Sequence, residues 1–520
     1  MWTPMLLFAR ILSIGLVILL PAVTGAALGA DGSVIRVGSS VALNTGDYDP
    51  HRSMHSIHTE FNRLLYSRLA GIAADGTVFG VAATSWGFSD DGRELRVRLR
   101  EDLLWSDGSP VTADDYARGF IRNCGPDSAS AYDFLFIRDA RAFAAGESST
   151  VPAVRAEGKY ELVIDLEEPF RANIKLLAFI RALPLSKNSS SATDGPFNGP
   201  FVIESVDETR VVFSRNPLFH DVEHVPADRI EFLHDDEGNS VDRFLIGDID
   251  ILIGPLGNQQ RWVEDRFGER LANHHGARIY RVEIHRDMGE LKDARVREAL
   301  SLVLEREDFG RKMFGATAVE AISLIPQGSQ GYRPSEKLTM PFRMSPGERV
   351  AMARELMAEA GYDAANPLRL RLVFADQVTG YRQIASFLAA SWKNIFVDTE
   401  LVQRGEYWET LAEFDEGGFH MILTSSFQVV PISYLANILA QRRGSALIER
   451  NDVLEAVDDA LYEINPQARN IAIARADEVA TLTHLVIPVI AKRSVMLVQE
   501  AVTMHPEKGL DSGLAFVGKK

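Results

Sequence analysis

The stretch "WSDGSPVTADDY", Trp105 to Tyr116, gathers serine, threonine and three aspartates within twelve residues. Such side chains could supply a nucleophile, a metal-binding loop, or only the punctuation of a turn. A second group, "HRSMHSIHTEF", sets His51, His55 and His58 at spacings of four and three, which would share one helix face. Neutral imidazoles so placed could ligate a metal. No Cys- or His-rich partner motif completes that set, and "NHHG" (His274, His275) is far off in sequence, so the trio reads as a solvated helix face. The sequence has no G-x-S-x-G elbow, no H-E-x-x-H, no phosphate-cradling Gly loop and no Cys/His pair. No catalytic residue, metal or cofactor is therefore assigned. For the acidic stretch local physics suffices. Asp107-Gly108 is a turn pair, and Pro110 imposes an extended approach. Thr112 and Asp115 have the spacing of a capping box with Asp in place of Glu, and Asp114 and Asp115 occupy the first helical turn, where the dipole favours negative charge.

The elements that must position these residues alternate between short strands and helices. "SVIRVGSSVAL", "RELRVRLRE" (Arg93 to Glu101), "KYELVIDLEE" (Lys159 to Glu168) and "TRVVFSRNPLF" (Thr209 to Phe219) read as strands, several with period two. "DARVREALSLVLEREDFGRKMF" (Asp293 to Phe314) reads as one helix, with Val296, Ala299, Leu300, Val303 and Leu304 on one face and Asp293 as N-cap. "SPGERVAMARELMAEAGY" opens with a cap and a proline and stops at Gly361. "QIASFLAASWKNI" is a third helix, followed by the β-like "VDTELVQ" and by "GEYWETLAEFDEG". Interleaving of this kind makes the class mixed α/β. "KNSSSATDGPFNGP" (Lys187 to Pro200) is the most loop-like segment and a candidate domain crossover.

A chain of 520 residues predicts two or three domains. Its 46% hydrophobic and 24% charged residues fit a soluble globular protein. The formal charge of −17 argues against nucleic acid and anionic membrane surfaces as partners. Residues 1–26 read as a secretory signal peptide rather than a signal anchor: Arg10 is the only charge before Asp31, "ILSIGLVILL" is uninterruptedly apolar, and small residues follow, with cleavage expected after Ala26 and Ala30 as the alternative. Cys124 is the only cysteine, so no intramolecular disulfide can form and no lipid attachment is expected near the cleavage site. A periplasmic location is expected.

"LLWSDGSPVTADDYARGF" resembles the signature W-[ST]-D-G-x-P-[VL]-[TS]-A-x-D of periplasmic oligopeptide- and dipeptide-binding proteins, the family 5 extracellular solute-binding components of ABC transporters. Trp105, Asp107, Gly108, Pro110, Thr112, Ala113 and Asp115 fit it. "DYDPHR", "NGPFVIESVDETRVVFSRNPLFHD", "DRFLIGDIDIL" and "DARVREALSLVLERE" resemble further family segments in the same order. The resemblance implies a bilobal α/β periplasmic binding protein fold (type II, cluster C-like) with an extra domain, two crossover strands and a ligand cleft between the lobes. It implies domain I at 33–71, 190–282 and 496–520, the extra domain II at 72–189, and domain III, the second lobe, at 283–495. It also implies a monomer that captures a peptide or peptide-like ligand by closure of its lobes and delivers it to permease subunits in the inner membrane, without enzymatic chemistry. Extended peptides would pair through their main chain with exposed strands, so backbone is read more than sequence. By similarity the cleft would be lined by Asn44 and Thr45 in domain I, Tyr132 in domain II, and Tyr381, Trp408, Thr424, Ser425, Ser426, Phe427 and Gln428 in domain III.

The chain departs from the family where the ligand's amino end is usually met. The pattern F-D-x-x-x-x-G-W-x-x-D-Y-x-x-P-x-x-F-L is matched here by "FHMILTSSFQVVPISYL" (Phe419 to Leu435). Phe419, Pro431, Tyr434 and Leu435 align, but no carboxylate lies between them, and the aspartate position falls near Gln428 to Val430. A buried ammonium without a carboxylate partner costs several kcal/mol. Glu413, Asp415 and Glu416 are near in sequence, at an expected helix end facing solvent. In "VIPVIAKRS", Ile490, Ala491 and Lys492 follow the Pro-Val pair where the family often has tyrosines, and Lys492 or Arg493 would add positive charge near the crossover. The ligand expected is thus neutral or anionic at that end: a blocked or cyclic peptide, or an opine-like or sugar-phosphate-like conjugate. Competing readings are a receptor for a nickel chelate or haem, a hydrolase of similar lobed shape, and a chaperone-like or signalling receptor; the missing nucleophile motif favours the solute receptor.

Overall fold

Apolar residues alternate with charged ones in "ELRVRL", so the strand Glu94–Leu99 buries Leu95, Val97 and Leu99 and turns Arg98 to solvent. The computed structural model that contains it describes residues 33–519 apart from 40–42, 44–47, 52–55, 73–77, 129–130, 168–181, 190–194, 235–238, 254–259, 269–270, 288, 320, 328, 330, 377, 379, 406, 429–434, 436–444, 464 and 505–513. The expected signal peptide lies outside the described residues.

In chain order the strands are β1 (Val34–Ser39), β2 (Ala70–Ile72), β3 (Val78–Gly80), β4 (Ala83–Phe88), β5 (Glu94–Leu99), β6 (Val154–Ala156), β7 (Glu161–Asp165), β8 (Phe201–Val206), β9 (Arg210–Arg215), β10 (Arg229–His234), β11 (Ile251–Ile253), β12 (Leu271–Ile284), β13 (Ala318–Val319), β14 (Leu368–Ala375), β15 (Val397–Arg404), β16 (Met421–Gln428), β17 (Val486–Val498), β18 (Val502–Met504) and β19 (Val517–Lys519). A large mixed sheet runs β15-β14-β16-β12-β17-β11-β1-β10-β9-β8, with β13 pairing to β17; a second sheet runs β4-β5-β7-β6.

Two main apolar cores make the molecule bilobal. One joins Ile35, Phe61, Trp105, Phe120, Phe213 and Phe232 and takes in the four-stranded sheet; the other joins Ile279, Val282, Leu372, Trp392, Leu423 and Ile487. β17 runs from one to the other: Met496 packs in the first core, and Val486 to Ala491 pack in the second. It pairs antiparallel with β12 from Leu271↔Leu497 to Glu283↔Val486, with register shifts between Asn273 and Ala277 and between Tyr280 and Arg281. In the second core the Trp392 ring is fully buried and its Nε1 donates to the Leu300 carbonyl at 2.9 Å. Burying such a side chain contributes roughly 3 kcal/mol.

The single helix expected over Asp293 to Phe314 is two, Ala294–Leu302 and Arg306–Phe314. Arg306 explains the break: its guanidinium donates to the Ser301 carbonyl (2.8 Å), the Ser301 hydroxyl (2.9 Å) and the Pro488 carbonyl (2.8 Å), satisfying the end of the first helix and tying it to β17. Asp293 is the expected N-cap, accepting from Arg295 N. The histidine trio corrects another expectation. His51 and His58 are buried rather than solvated, His58 edge-on to Tyr48 at 4.7 Å. Their setting is the reason: the helix Ser56–Leu65 sinks Ile57, Phe61, Leu64 and Leu65 into the core and pairs Glu60 with Arg63 at 3.0 Å. His55 lies outside the described residues, as do the side chains of His274 and His275.

"WSDGSPVTADDY" is a turn feeding a helix. Leu104 bridges Pro110, Gly108 has φ 81°, and the helix Ala113–Asn123 follows. Asp107 accepts from the backbone and hydroxyl of Ser109, which hold its carboxyl below the usual range. Asp115 accepts from the Thr112 amide (2.7 Å), the Thr112 hydroxyl (3.0 Å) and the buried Trp105 Nε1 (3.4 Å), and pairs with Arg118.

Candidate functional site

β16 is held on one side by an eight-residue antiparallel ladder to β12, from Ile284↔Met421 to Ala277↔Gln428. On the other side it pairs with β14 only at Leu372↔Met421 and Val373↔Ile422, and β14 ends at Ala375. The edge of Ser425 to Gln428 therefore carries no ladder partner among the described residues. An unpaired strand edge is the element that an extended ligand can join.

Alternation along β16 sends its hydroxyls to opposite faces. Ser425 faces the helix Tyr381–Lys393 and accepts from the Tyr381 hydroxyl at 2.9 Å and from Arg278 Nη1 at 3.1 Å. Tyr381 is wholly buried, which pushes its pKa well up, so it stays a proton donor. It supports the site through Ser425 rather than presenting its own surface. Thr424 faces the helix Tyr407–Glu416, where its hydroxyl meets that of Tyr407 at 2.8 Å. Ser426, on that same face, accepts from Arg281 Nη1 at 2.9 Å. Arg281 is itself paired with Glu283 at 2.8 Å, both side chains almost fully buried.

The neighbouring ladder brings in more charge. Arg278 on β12 lies directly opposite Lys492 on β17, so the two half-buried cations share one sheet face with Tyr280 and Ser425. Lys492 Nζ sits 5.2 Å from the centre of the Phe314 ring, which stacks on Tyr280 at 5.5 Å. Gly310, on the same helix as Phe314, faces β17 closely: a Cβ there would lie 3.2 Å from Ile490 Cδ1. Arg493 is exposed on the opposite face.

Of the residues expected at the cleft, Thr424, Ser425, Ser426 and Tyr381 come together here. Phe427 and Gln428 close β16, with only their backbone described. Trp408 lies on the helix Tyr407–Glu416 and Tyr132 in the short helix Ala131–Phe134, again with side chains outside the described residues, and Asn44 and Thr45 lie wholly outside. Sequence reasoning missed Arg278, Tyr280, Arg281 and Glu283. Their signal in "ARIYRVEIH" was charge recurring inside an otherwise apolar strand.

Glu413 pairs with Arg404 at 2.7 Å, and Glu416 is exposed. Asp477, fully buried on the helix Pro466–Leu482, accepts from Ile325 N at 3.0 Å and from the Thr481 hydroxyl at 3.3 Å, and burial pushes its carboxyl up to about 7.

The family model for bacterial extracellular solute-binding proteins, family 5, matches residues 77–443. The chain is 27% identical over 400 residues to a probable deoxycholate-binding periplasmic protein of Escherichia coli (strain K12), covering 74% of this chain and 73% of that one. It is 28% identical over 395 residues to the periplasmic murein peptide-binding protein MppA of the same organism, covering 72% of each. The solved structure of the E. coli murein tripeptide binding protein superposes with a TM-score of 0.79 at 23% identity, over 94% of this chain and 99% of that one. With its two cores, its shared central sheet and the match across most of its length, the chain belongs to the family 5 extracellular solute-binding proteins, the periplasmic oligopeptide-type receptors of ABC importers.

Proposed function

We propose that this receptor captures a peptide or peptide-like solute whose end at β16 lacks a free ammonium, closes its lobes on it and delivers it to inner-membrane permease subunits. One observation carries this reading: the strand end Ser425 to Gln428 offers an edge without a ladder partner among the described residues, and the stretch Phe419 to Leu435 contains hydroxyls but no carboxylate. The edge supplies main-chain pairing that is indifferent to side chains, while an unpartnered ammonium there would bear its full desolvation cost. The receptor works as an unlipidated, exported monomer without catalytic chemistry, its domains divided at the limits that the family resemblance implies. The separate apolar cores support that division. A non-peptide solute is the second reading, favoured by the relative whose name records deoxycholate binding.

Native mass spectrometry with a mixed tri- to pentapeptide library tests the first reading. N-acetylated peptides are expected to be retained over the same peptides with free amino ends. Tight binding of the free-amine forms would refute it.

A further inference from the structure

Two charges are sunk into one face of the β12–β16 ladder. Ile279 lies opposite Ser426, Arg281 opposite Thr424 and Glu283 opposite Ile422, so these six side chains share that face. Glu283 is 0% exposed and Arg281 5%. Stability alone is a poor reason for such a pair, since apolar residues of like size often serve a core as well. Its geometry, however, is directional. Arg281 gives Nε (3.0 Å) and Nη2 (2.8 Å) to the same oxygen of Glu283, and its Nη1 reaches the half-buried Ser426 Oγ at 2.9 Å. A guanidinium is planar and rigid, so a carboxylate that holds Nε and Nη2 also fixes where Nη1 points. Arginine can only donate, so Ser426 Oγ receives a hydrogen bond that it cannot return, and its hydroxyl is turned toward donating to any further partner. Thr424, on the same face, has no such polarity imposed: its hydroxyl meets that of Tyr407, and either can donate.

We propose that Glu283 and Arg281 are positioning residues that set the polarity of the Ser426 hydroxyl, so that the strand end selects solutes presenting an acceptor oxygen, such as a carbonyl, at that point. Glu283, wholly buried, acts on the solute through Arg281, and Arg281 acts through Ser426. This inference rests on the reading above, that a peptide-like solute pairs with β16. It adds which kind of atom the strand end asks of that solute.

The test compares three forms of one tri- to pentapeptide library: free amine, N-acetyl and N-thioacetyl, the last replacing the acetyl oxygen by sulfur, a poorer acceptor. Calorimetry is expected to show the acetyl forms bound about fivefold more tightly than the thioacetyl forms, the size of one neutral hydrogen bond. Ser426→Ala, which removes a single oxygen, should abolish that ratio, and Glu283→Gln should reduce it. In the Ser426→Ala background Glu283→Gln should change the ratio no further, a result that loss of packing alone would not give. Replacing Arg281→Met and Glu283→Met together leaves no unpaired buried charge and should also abolish the ratio; thermal midpoints check the fold of every variant. Equal affinity for acetyl and thioacetyl forms, or a ratio that survives Ser426→Ala or the double Met variant, overturns the polarity inference and leaves the peptide reading standing. Failure of the acetyl forms to bind, or tighter binding of the free amines, overturns the peptide reading and this inference with it.

Discussion

Two polar stretches of this chain look alike in composition and behave oppositely. Trp105 to Tyr116 turns its acids inward on its own backbone: Asp107 holds Ser109, and Asp115 holds Thr112, Trp105 and Arg118. Thr424 to Gln428 receives its partners from distant strands and helices and leaves an edge without a ladder partner among the described residues. The first stretch fixes a fold shared by the family. The second is where we propose that ligand choice resides. A polar residue informs about ligand only when its local neighbours have not already satisfied it.

The contrast makes the first stretch a stability element and the second a selectivity element. The largest expected effect is that of Trp105→Ala, which empties a fully buried site and should lower stability by about 3–5 kcal/mol in urea unfolding, with the order of affinities among peptide forms unchanged. A change in that order would erase the distinction.

Asp477 sharpens it from within the second core, as a fully buried carboxyl bonded to Ile325 and Thr481. Its folded pKa, raised by burial to about 7, lies above the unfolded value. Its contribution is thus full below about pH 4 and is lost as pH rises through about 7, amounting to roughly 4 kcal/mol. Asp477→Asn should flatten the fall in urea midpoint over that window and leave peptide selectivity alone.

Gln428→Asp attempts the opposite, returning a carboxylate to the β16 strand end. Affinity for free-amine peptides is expected to rise about tenfold, the size of one charge-assisted hydrogen bond, read by calorimetry; no gain would place the missing acid elsewhere. Smallest is Thr112→Ala, which removes the cap hydroxyl and should cost about 1 kcal/mol of stability, seen as a small drop in thermal midpoint without any binding change.

Features set by local chemistry were legible in the sequence. The capping box at Thr112 and Asp115, the cap of Ser345 with Glu348, the alternation of β5 and the N-cap at Asp293 all depend on residues a few positions apart. The absence of an acid along β16 was equally plain. What the sequence hid was long-range. Arg278 and Lys492 meet through pairing across more than two hundred residues, and the free edge of β16 exists because β14 stops one strand away. The fold of "LEREDF" into a break rather than a helix depends on Pro488, equally distant. The histidines misled because periodicity gives a shared face but not what covers it.

The two register shifts in the β12–β17 ladder leave a short regular stretch, Ala277 to Tyr280 against Ile490 to Arg493, between two irregular joints. Irregular rungs are where paired strands bend. Arg278 and Lys492 lie inside that short stretch, so bending at the two joints alone would leave their spacing unchanged.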